Sequence, residues 1–345
     1  MKVSVIGAGR YGSTLAYRLV LMRIAEELVL VDVAEGLPQG LALDIMQSRA
    51  LEGSDTRVVG TNNYEDTQGS DIAVVTAGVA RLAGMSRMDL LDVNARIVHS
   101  VVEKIAAGSP NAVLIVVTNP LDEMTMLAAE VSGFDKPKVL GQAGMLDTAR
   151  FTHYLAEELG VVPSRIEAMT LGTHGDTMVP VPGLVKIDGR PLRDLEDHEA
   201  IERIVARTRG AGAEIVELLR TGSAHFAPAS AAAHMVRAVA TDSKEIMPVC
   251  AWMTGQYGIS DVYMGVPARL GAGGVEEVVE LALTPGELAD MRIAAEAVRA
   301  KGRDLAVIEA QTPELAPYLH PRLWEEGPEG ETPAEKKLPV ARWRP

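Results

Sequence analysis

Val3-Ser4-Val5-Ile6-Gly7-Ala8-Gly9-Arg10-Tyr11-Gly12 is the stretch from which the architecture of this 345-residue chain can be read. A short apolar run ends in glycines spaced G-x-G-x-x-G, and a helical pattern, Ser13–Arg23, follows at once. That is a strand turning tightly into a helix. Working outward, Leu28–Val33, Val58–Thr61, Ile72–Thr76, Val113–Thr118 and Val139–Gly141 read as further strands. Most are apolar throughout rather than alternating, as parallel strands buried on both faces are. Pro38–Ser48, Asp89–Ala107 and Asp122–Val131 supply helices between them. The alternation predicts an α/β fold built on a doubly wound parallel sheet.

Each glycine of the motif has a physical task. Gly7 permits the tight turn, Gly9 lets backbone approach a pyrophosphate, and Gly12 lets helix and strand pack closely. The helix N-terminus then offers N–H groups and partial positive charge to phosphates. Asp32 lies 20 residues after Gly12, at the end of the second strand. A carboxylate there accepts hydrogen bonds from both ribose hydroxyls and repels a 2′-phosphate. The first half therefore reads as a Rossmann domain that binds NAD in preference to NADP. Arg10 and Tyr11 fill the variable positions, where cofactor contact and surface packing are equally open.

The pattern changes after Gly144. Met145–Leu159 reads as a helix and Ile166–Leu171 as a strand ending in Thr173-His174-Gly175. Val179–Leu192 reads as a hairpin turning at Asp188-Gly189. Glu196–Leu219, Ala229–Ala240 and Pro285–Ala310 read as helices around apolar runs at Val249–Met253 and Val262–Val266. We expect an NAD-binding domain over 1–143, an α+β catalytic domain over 144–311 and a proline-rich extension over 312–345. Seven of the 19 prolines fall in that extension, with Trp324 and Trp343 as possible anchors. Its composition suits a disordered tail or an extended arm, not a helix.

Composition narrows the function classes. Hydrophobic residues at 47% and charged residues at 23% suit a soluble globular protein with a real core. Aromatics are only 4%, so Ala, Val, Leu, Ile and Met must fill that core. The net charge of −14 argues against nucleic-acid and anionic-membrane partners, whose phosphates demand Lys and Arg. No apolar stretch is long enough for a membrane span, and the start lacks the form of a signal peptide. Cys250 is the single cysteine, which fits a reducing, cytoplasmic setting and leaves no Cys/His metal site.

Among seven histidines, His174 stands apart at a strand end between glycines. His99, His153, His198 and His234 fall within helical patterns, where surface or packing roles are expected. Asp147 and Arg150 share one helix face at i and i+3. Arg81 and Arg87 flank Gly84 in the loop after the fourth strand, and Asn119-Pro120 ends the fifth. In a doubly wound sheet such loops open onto the ligand crevice.

Together these residues resemble the lactate/malate dehydrogenase family, and within it the lactate-dehydrogenase-like malate dehydrogenases. The resemblance runs over roughly residues 2–310. It rests on Gly7–Gly12 with Asp32, Gly78–Arg87, Val117-Thr118-Asn119-Pro120, Leu146-Asp147-Thr148-Ala149-Arg150 and Gly172-Thr173-His174-Gly175-Asp176. It implies that His174 exchanges a proton with the substrate oxygen and that Asp147 holds its imidazole. Arg150 would grip the substrate C1 carboxylate with a bidentate fork. Arg87 would polarise the carbonyl, and Asn119 would hydrogen-bond substrate and help place the nicotinamide. Gly7, Gly9, Gly12, Asp32, Asn94 and Asn119 form the implied cofactor set. Closure of the loop over Gly78–Asp89 would exclude water.

Substrate choice turns on Arg81. An arginine here resembles the malate enzymes, where it pairs with the second carboxylate of a small dicarboxylate. Closing it against the methyl group of pyruvate would leave a charge unpaired, at a cost of roughly 3–5 kcal/mol. The resemblance thus implies an NAD-dependent oxidoreductase interconverting L-malate and oxaloacetate, assembled as a homo-oligomer, dimer or tetramer. Three features depart from the family pattern: the apolar Leu82-Ala83 pair, His225 where an aromatic is common, and the tail. A lactate or other 2-hydroxy-acid dehydrogenase, a metal-dependent glycosidase on the same sheet and a nonenzymatic NAD-binding protein are the rival readings.

Overall fold

The computed structural model describes residues 1–79, 87–191, 198–220 and 222–311, of which the side chains of Arg87, His198 and 303–311 are excepted. Arg81, the Leu82-Ala83 pair and the extension over 312–345 lie outside them.

Six parallel strands form the first half: β1 (Lys2–Ile6), β2 (Glu27–Val31), β3 (Arg57–Thr61), β4 (Ile72–Val75), β5 (Val113–Val116) and β6 (Val139–Gly141). Their spatial order is β3-β2-β1-β4-β5-β6. The chain therefore reverses its direction of travel across the sheet between β1 and β4, the switch point where α/β folds open their ligand crevice. Helices α1 (Arg10–Met22), α2 (Leu37–Glu52), α3 (Arg87–Gly108) and α4 (Leu121–Ser132) connect them.

The continuous apolar runs have a direct cause. Along β4, Ile72 and Val74 enter the core on one face with Val3, Val5, Leu28 and Leu30. Ala73 and Val75 enter the opposite core with α3 and α4. Both faces are covered, so successive side chains are buried on alternate sides and no polar position remains. The exception on β1 is Ser4, fully buried, whose hydroxyl meets that of Ser70 at 2.7 Å.

Beyond β6 the same sheet continues with strands of the second half. Helix α5 (Gly144–Leu159) leads to β7 (Ile166–Glu167), β8 (Thr170–Gly172), β9 (Met178–Pro180), β10 (Lys186–Ile187) and β11 (Arg190–Pro191). Helices α6 (His198–Leu219) and α7 (Phe226–Ala240), strands β12 (Ile246–Thr254), β13 (Ser260–Gly271) and β14 (Gly274–Val278), and helix α8 (Pro285–Gln311) follow. Cys250 of β12 pairs antiparallel with Gly141, and β13, β8 and β9 follow outward.

Two sequence expectations change here. Ile166–Leu171 is not one strand: β7 joins a small sheet with β10 and β11, whereas β8 pairs with β13 and β9. The hairpin expected over Val179–Leu192 shrinks to β10 and β11. Pro180 and Pro182 lack N–H donors, and a turn closed by Val185 N–H on Pro182 O diverts the chain between β9 and β10. The turn itself is as expected, with Asp188 and Gly189 at φ of 50° and 75°.

Local chemistry also sets helix starts. Gly9 caps α1 in extended backbone, so the helix begins at Arg10 rather than Ser13. At α8, Thr284 and Glu287 form a reciprocal capping box, with Glu287 N–H on Thr284 Oγ1 at 3.2 Å and Thr284 N–H on Glu287 Oε2 at 2.8 Å. Pro285 between them needs no N–H partner.

Candidate active site

The glycine loop lies at the switch point. Gly7 has φ +108°, and a Cβ there would stand 2.7 Å from Thr76 Oγ1 and 2.8 Å from Ala77 N. A Cβ on Gly12 would stand 1.8 Å from Gly7 O. Both positions therefore demand glycine for internal packing. Gly9 is different: its φ is −65°, and a Cβ would meet nothing within 4 Å. The protein's own packing does not require a glycine there, whereas a pyrophosphate lying against bare backbone does. Gly9 also offers no side chain to cap the first N–H groups of α1, and no acidic residue sits in that first turn. The cradle fits the phosphates of a dinucleotide.

Asp32 follows the end of β2. Its Oδ2 accepts Ala8 N–H at 2.6 Å and its Oδ1 accepts Ala34 N–H at 3.0 Å. The backbone thus orients the carboxylate, which stays partly exposed and keeps lone pairs for two ribose hydroxyls. Tyr11 resolves its two readings toward packing, because its hydroxyl donates to Pro228 O of α7 at 2.8 Å.

His174 occupies the loop after β8. Gly172 makes that loop possible, with φ +81° and a virtual Cβ 2.9 Å from Thr177 O. Gly265 of β13 faces it, and a Cβ there would come within 2.6 Å of Gly172 O. From α5, Asp147 reaches His174: Nδ1 and Oδ2 are 2.8 Å apart. Arg150 Nη1 donates to the other oxygen, Oδ1, at 3.3 Å. The Asp147 side chain is 2% exposed, Arg150 13% and His174 19%, so only the latter two are partly accessible. Gly212 of α6 lies beside the guanidinium, its virtual Cβ in ordinary contact at 3.7 Å from Arg150 Nη2.

This arrangement defines the state of His174. Burial disfavours its imidazolium, but Asp147 favours it by charge and by hydrogen bond. Arg150 opposes, Asp122 adds, and the balance lifts its pKa above the ordinary value. With Nδ1 tied to a carboxylate, Nε2 is the nitrogen available to a ligand.

Asn119 follows β5 and is exposed at the start of α4, behind a cis Asn119–Pro120 bond. Asn94 lies on α3. It is 1% exposed, its Oδ1 accepts Val79 N–H at 2.8 Å, and its Nδ2 donates to Val79 O at 3.1 Å and Asn119 O at 2.6 Å. Its amide is bonded to backbone, and so ties the Val79 loop to the Asn119 loop. His225 stacks on Phe226 with ring centroids 4.2 Å apart. Sequence reasoning missed Asp122, whose Oδ2 accepts His174 N–H at 3.1 Å. In sequence, an aspartate in the first turn of a helix signals nothing beyond a favourable helix-dipole charge. No helix among the described residues is long and apolar enough to cross a membrane. Among the same residues no cluster of His, Cys, Asp and Glu could hold a metal ion.

Comparison with known proteins places this geometry. Residues 1–141 match the lactate/malate dehydrogenase NAD binding domain, and residues 144–305 match the alpha/beta C-terminal domain of the same family. Malate dehydrogenase of Thermomicrobium roseum is 52% identical over 298 residues, 86% of this chain and 96% of its own. That of Nostoc punctiforme is 49% identical over 298 residues, 86% of this chain and 91% of its own. The solved malate dehydrogenase of Salinibacter ruber superposes with a TM-score of 0.86 at 47% identity, covering 90% of this chain and 99% of that one. A Cryptosporidium parvum lactate dehydrogenase with lactic acid and cofactor gives 0.85 at 41% identity, covering 88% and 98%. The chain belongs to the lactate/malate dehydrogenase family.

Proposed function

We propose that the chain is an NAD-dependent malate dehydrogenase, interconverting L-malate and oxaloacetate. The observation that carries the reading is the His174–Asp147–Arg150 constellation, in which one buried carboxylate holds both the imidazole and the guanidinium. Gly7, Gly9, Gly12 and Asp32 would hold the dinucleotide, with Asn119 beside the nicotinamide and Asn94 supporting Asn119 from behind. When bound, NAD accepts hydride from C2 of malate, or NADH returns it to oxaloacetate.

The rest of the chemistry belongs to the chain. His174 Nε2 takes the hydroxyl proton in oxidation and returns it in reduction. Asp147 keeps Nδ1 as the donor side and stabilises the imidazolium. Arg150 fixes the C1 carboxylate, while its bond to Asp147 fixes the guanidinium plane. Arg87 would polarise the C2 carbonyl and Arg81 would pair with the C4 carboxylate, both from sequence.

A lactate or other 2-hydroxy-acid dehydrogenase is the second reading, favoured by the close structural likeness to the Cryptosporidium parvum enzyme. We also assign the protein to the cytoplasm and to a homo-oligomer, dimer or tetramer. Leu51, Leu218 and Phe226, exposed at 89%, 76% and 71%, are apolar surface that self-association would cover. The deciding experiment follows NADH oxidation with oxaloacetate and pyruvate side by side. Fast oxidation with oxaloacetate and little with pyruvate is expected. The reverse preference would overturn the substrate assignment, and no oxidation with either would overturn the enzymatic one.

A further inference from the structure

Asp122 is a buried carboxylate that the reaction described above does not use. It is 2% exposed, and no lysine or arginine among the described residues forms an ion pair with it. Its neighbour Glu123 is 1% exposed and stands in an ion pair with Lys301 of α8, Nζ and Oε1 being 3.1 Å apart. Asp122 instead accepts the backbone N–H of His174 at 3.1 Å, across 52 residues of sequence. Its other near neighbour is the buried thiol of Cys250 on β12.

An unpaired buried carboxylate is costly unless its charge is used. Here two carboxylates grip one residue: Asp147 holds the His174 ring and Asp122 holds the His174 backbone. Asp122 also stands three residues after Asn119, so one short turn joins the expected nicotinamide side of the crevice to the proton-transfer side. We infer that Asp122 is a positioning residue for His174: its carboxylate anchors the histidine's loop through the backbone N–H and sets a second acidic group beside Asp147. The inference deepens the dehydrogenase reading and rests on it for the meaning of the histidine. Among the described residues, the ionisable groups around this loop are Asp147 and Arg150 from α5, Asp122 and Glu123 from α4, Cys250 from β12, Lys301 from α8 and Asp176 on the loop itself. Burial, and then Glu123, push the Asp122 carboxyl upward. Burial, and then Asp122, push the Cys250 thiol up too, so it stays protonated beside the carboxylate.

Asp122→Asn separates the two roles, since it keeps an oxygen for His174 N–H and removes the charge. Asp122→Ala removes both. The His174 imidazole is titrated by NMR in the full chain without substrate, its signal assigned by its loss in His174→Asn. Steady-state kinetics and NADH titration run in parallel. The expected result is a His174 midpoint lower by roughly half a pH unit or more in Asp122→Asn. Asp122→Ala should lose about tenfold or more in kcat, a larger loss than the Asn variant, with NADH affinity unchanged. An unchanged midpoint in the Asn variant overturns the inference, as does an equal kcat loss in both variants. If the Ala chain does not fold, the Asn midpoint decides alone. The NMR readout needs no turnover, so failure of the malate dehydrogenase reading, seen as no oxidation of NADH by the unmodified chain, is separately visible.

Discussion

Asp147→Asn tests the centre of the site with an almost isosteric change. Oδ2 of Asp147 receives His174 Nδ1 at 2.8 Å, and Oδ1 receives Arg150 Nη1 at 3.3 Å. An asparagine has one oxygen and one NH2 group. Turned one way it opposes Nδ1–H with a donor and forces the wrong tautomer; turned the other way it sets a donor against the guanidinium. Neither rotamer satisfies both partners. The charge is lost as well. With charge centres about 4 Å apart and an effective dielectric near 20, the attraction is at most about 4 kcal/mol. Adjacent buried pairs of this kind shift pKa values by roughly 1–3 units.

The sign follows directly. Asp147 works against burial to raise the His174 pKa. Its removal lowers that pKa, so less imidazolium is present at neutral pH. Oxaloacetate reduction needs imidazolium, and its rate falls as pH rises through the His174 pKa. In the variant that fall moves to lower pH. Proton transfer by a placed side chain contributes roughly 10²–10⁴ in rate, so kcat/KM for oxaloacetate should drop within that range. NADH affinity, measured by fluorescence titration, should not change. A variant within threefold of the unmodified protein, with the same pH inflection, would refute the acid–base assignment.

The remaining predictions probe other parts of the site. Asp32→Ser should narrow the preference for NADH over NADPH by roughly tenfold or more, read from kcat/KM with each, because the carboxylate that repels a 2′-phosphate is gone. Gly12→Ala places a Cβ 1.8 Å from Gly7 O, so NADH binding should weaken sharply and the Tm should fall by several degrees in calorimetry. Arg81→Gln should move the ratio of kcat/KM for oxaloacetate over pyruvate toward pyruvate by about 10² or more. A ratio unmoved by that change would place the specificity elsewhere.

How legible the fold was depends on which physical rule governs each element. The β1–β6 strands were readable because both faces of the sheet are covered, which turns each strand into an uninterrupted apolar run. The Gly7–Gly12 turn was readable because two of its glycines are demanded by steric contact and the third by the space it leaves. Strand ends were less legible. Thr76 reads as strand but lies just past β4: its N–H still bonds Ile6 O, while its hydroxyl donates to Ile6 O and Gly7 O to brace the glycine turn. The division of Ile166–Leu171 between two sheets was invisible, because it is set by where β10 and β13 arrive from distant sequence.

The site was legible as chemistry but not as support. His174, Asp147 and Arg150 announce themselves by type and spacing, whereas Asp122 and Asn94 act through backbone hydrogen bonds that no local pattern reveals. That distinction resolves how a chain of net charge −14 can receive anions. The acids nearest the crevice do not face it as free charges. Asp147 is shared between His174 and Arg150, Asp32 is oriented by two N–H groups toward hydroxyls, and Asp122 is spent on the His174 backbone. What these bonds leave for the ligands is a helix N-terminus without acidic residues, the Arg150 guanidinium and Nε2 of His174. The groups these bonds leave beside the phosphate and carboxylate sites are thus donors and a cation, whatever the net charge of the whole chain.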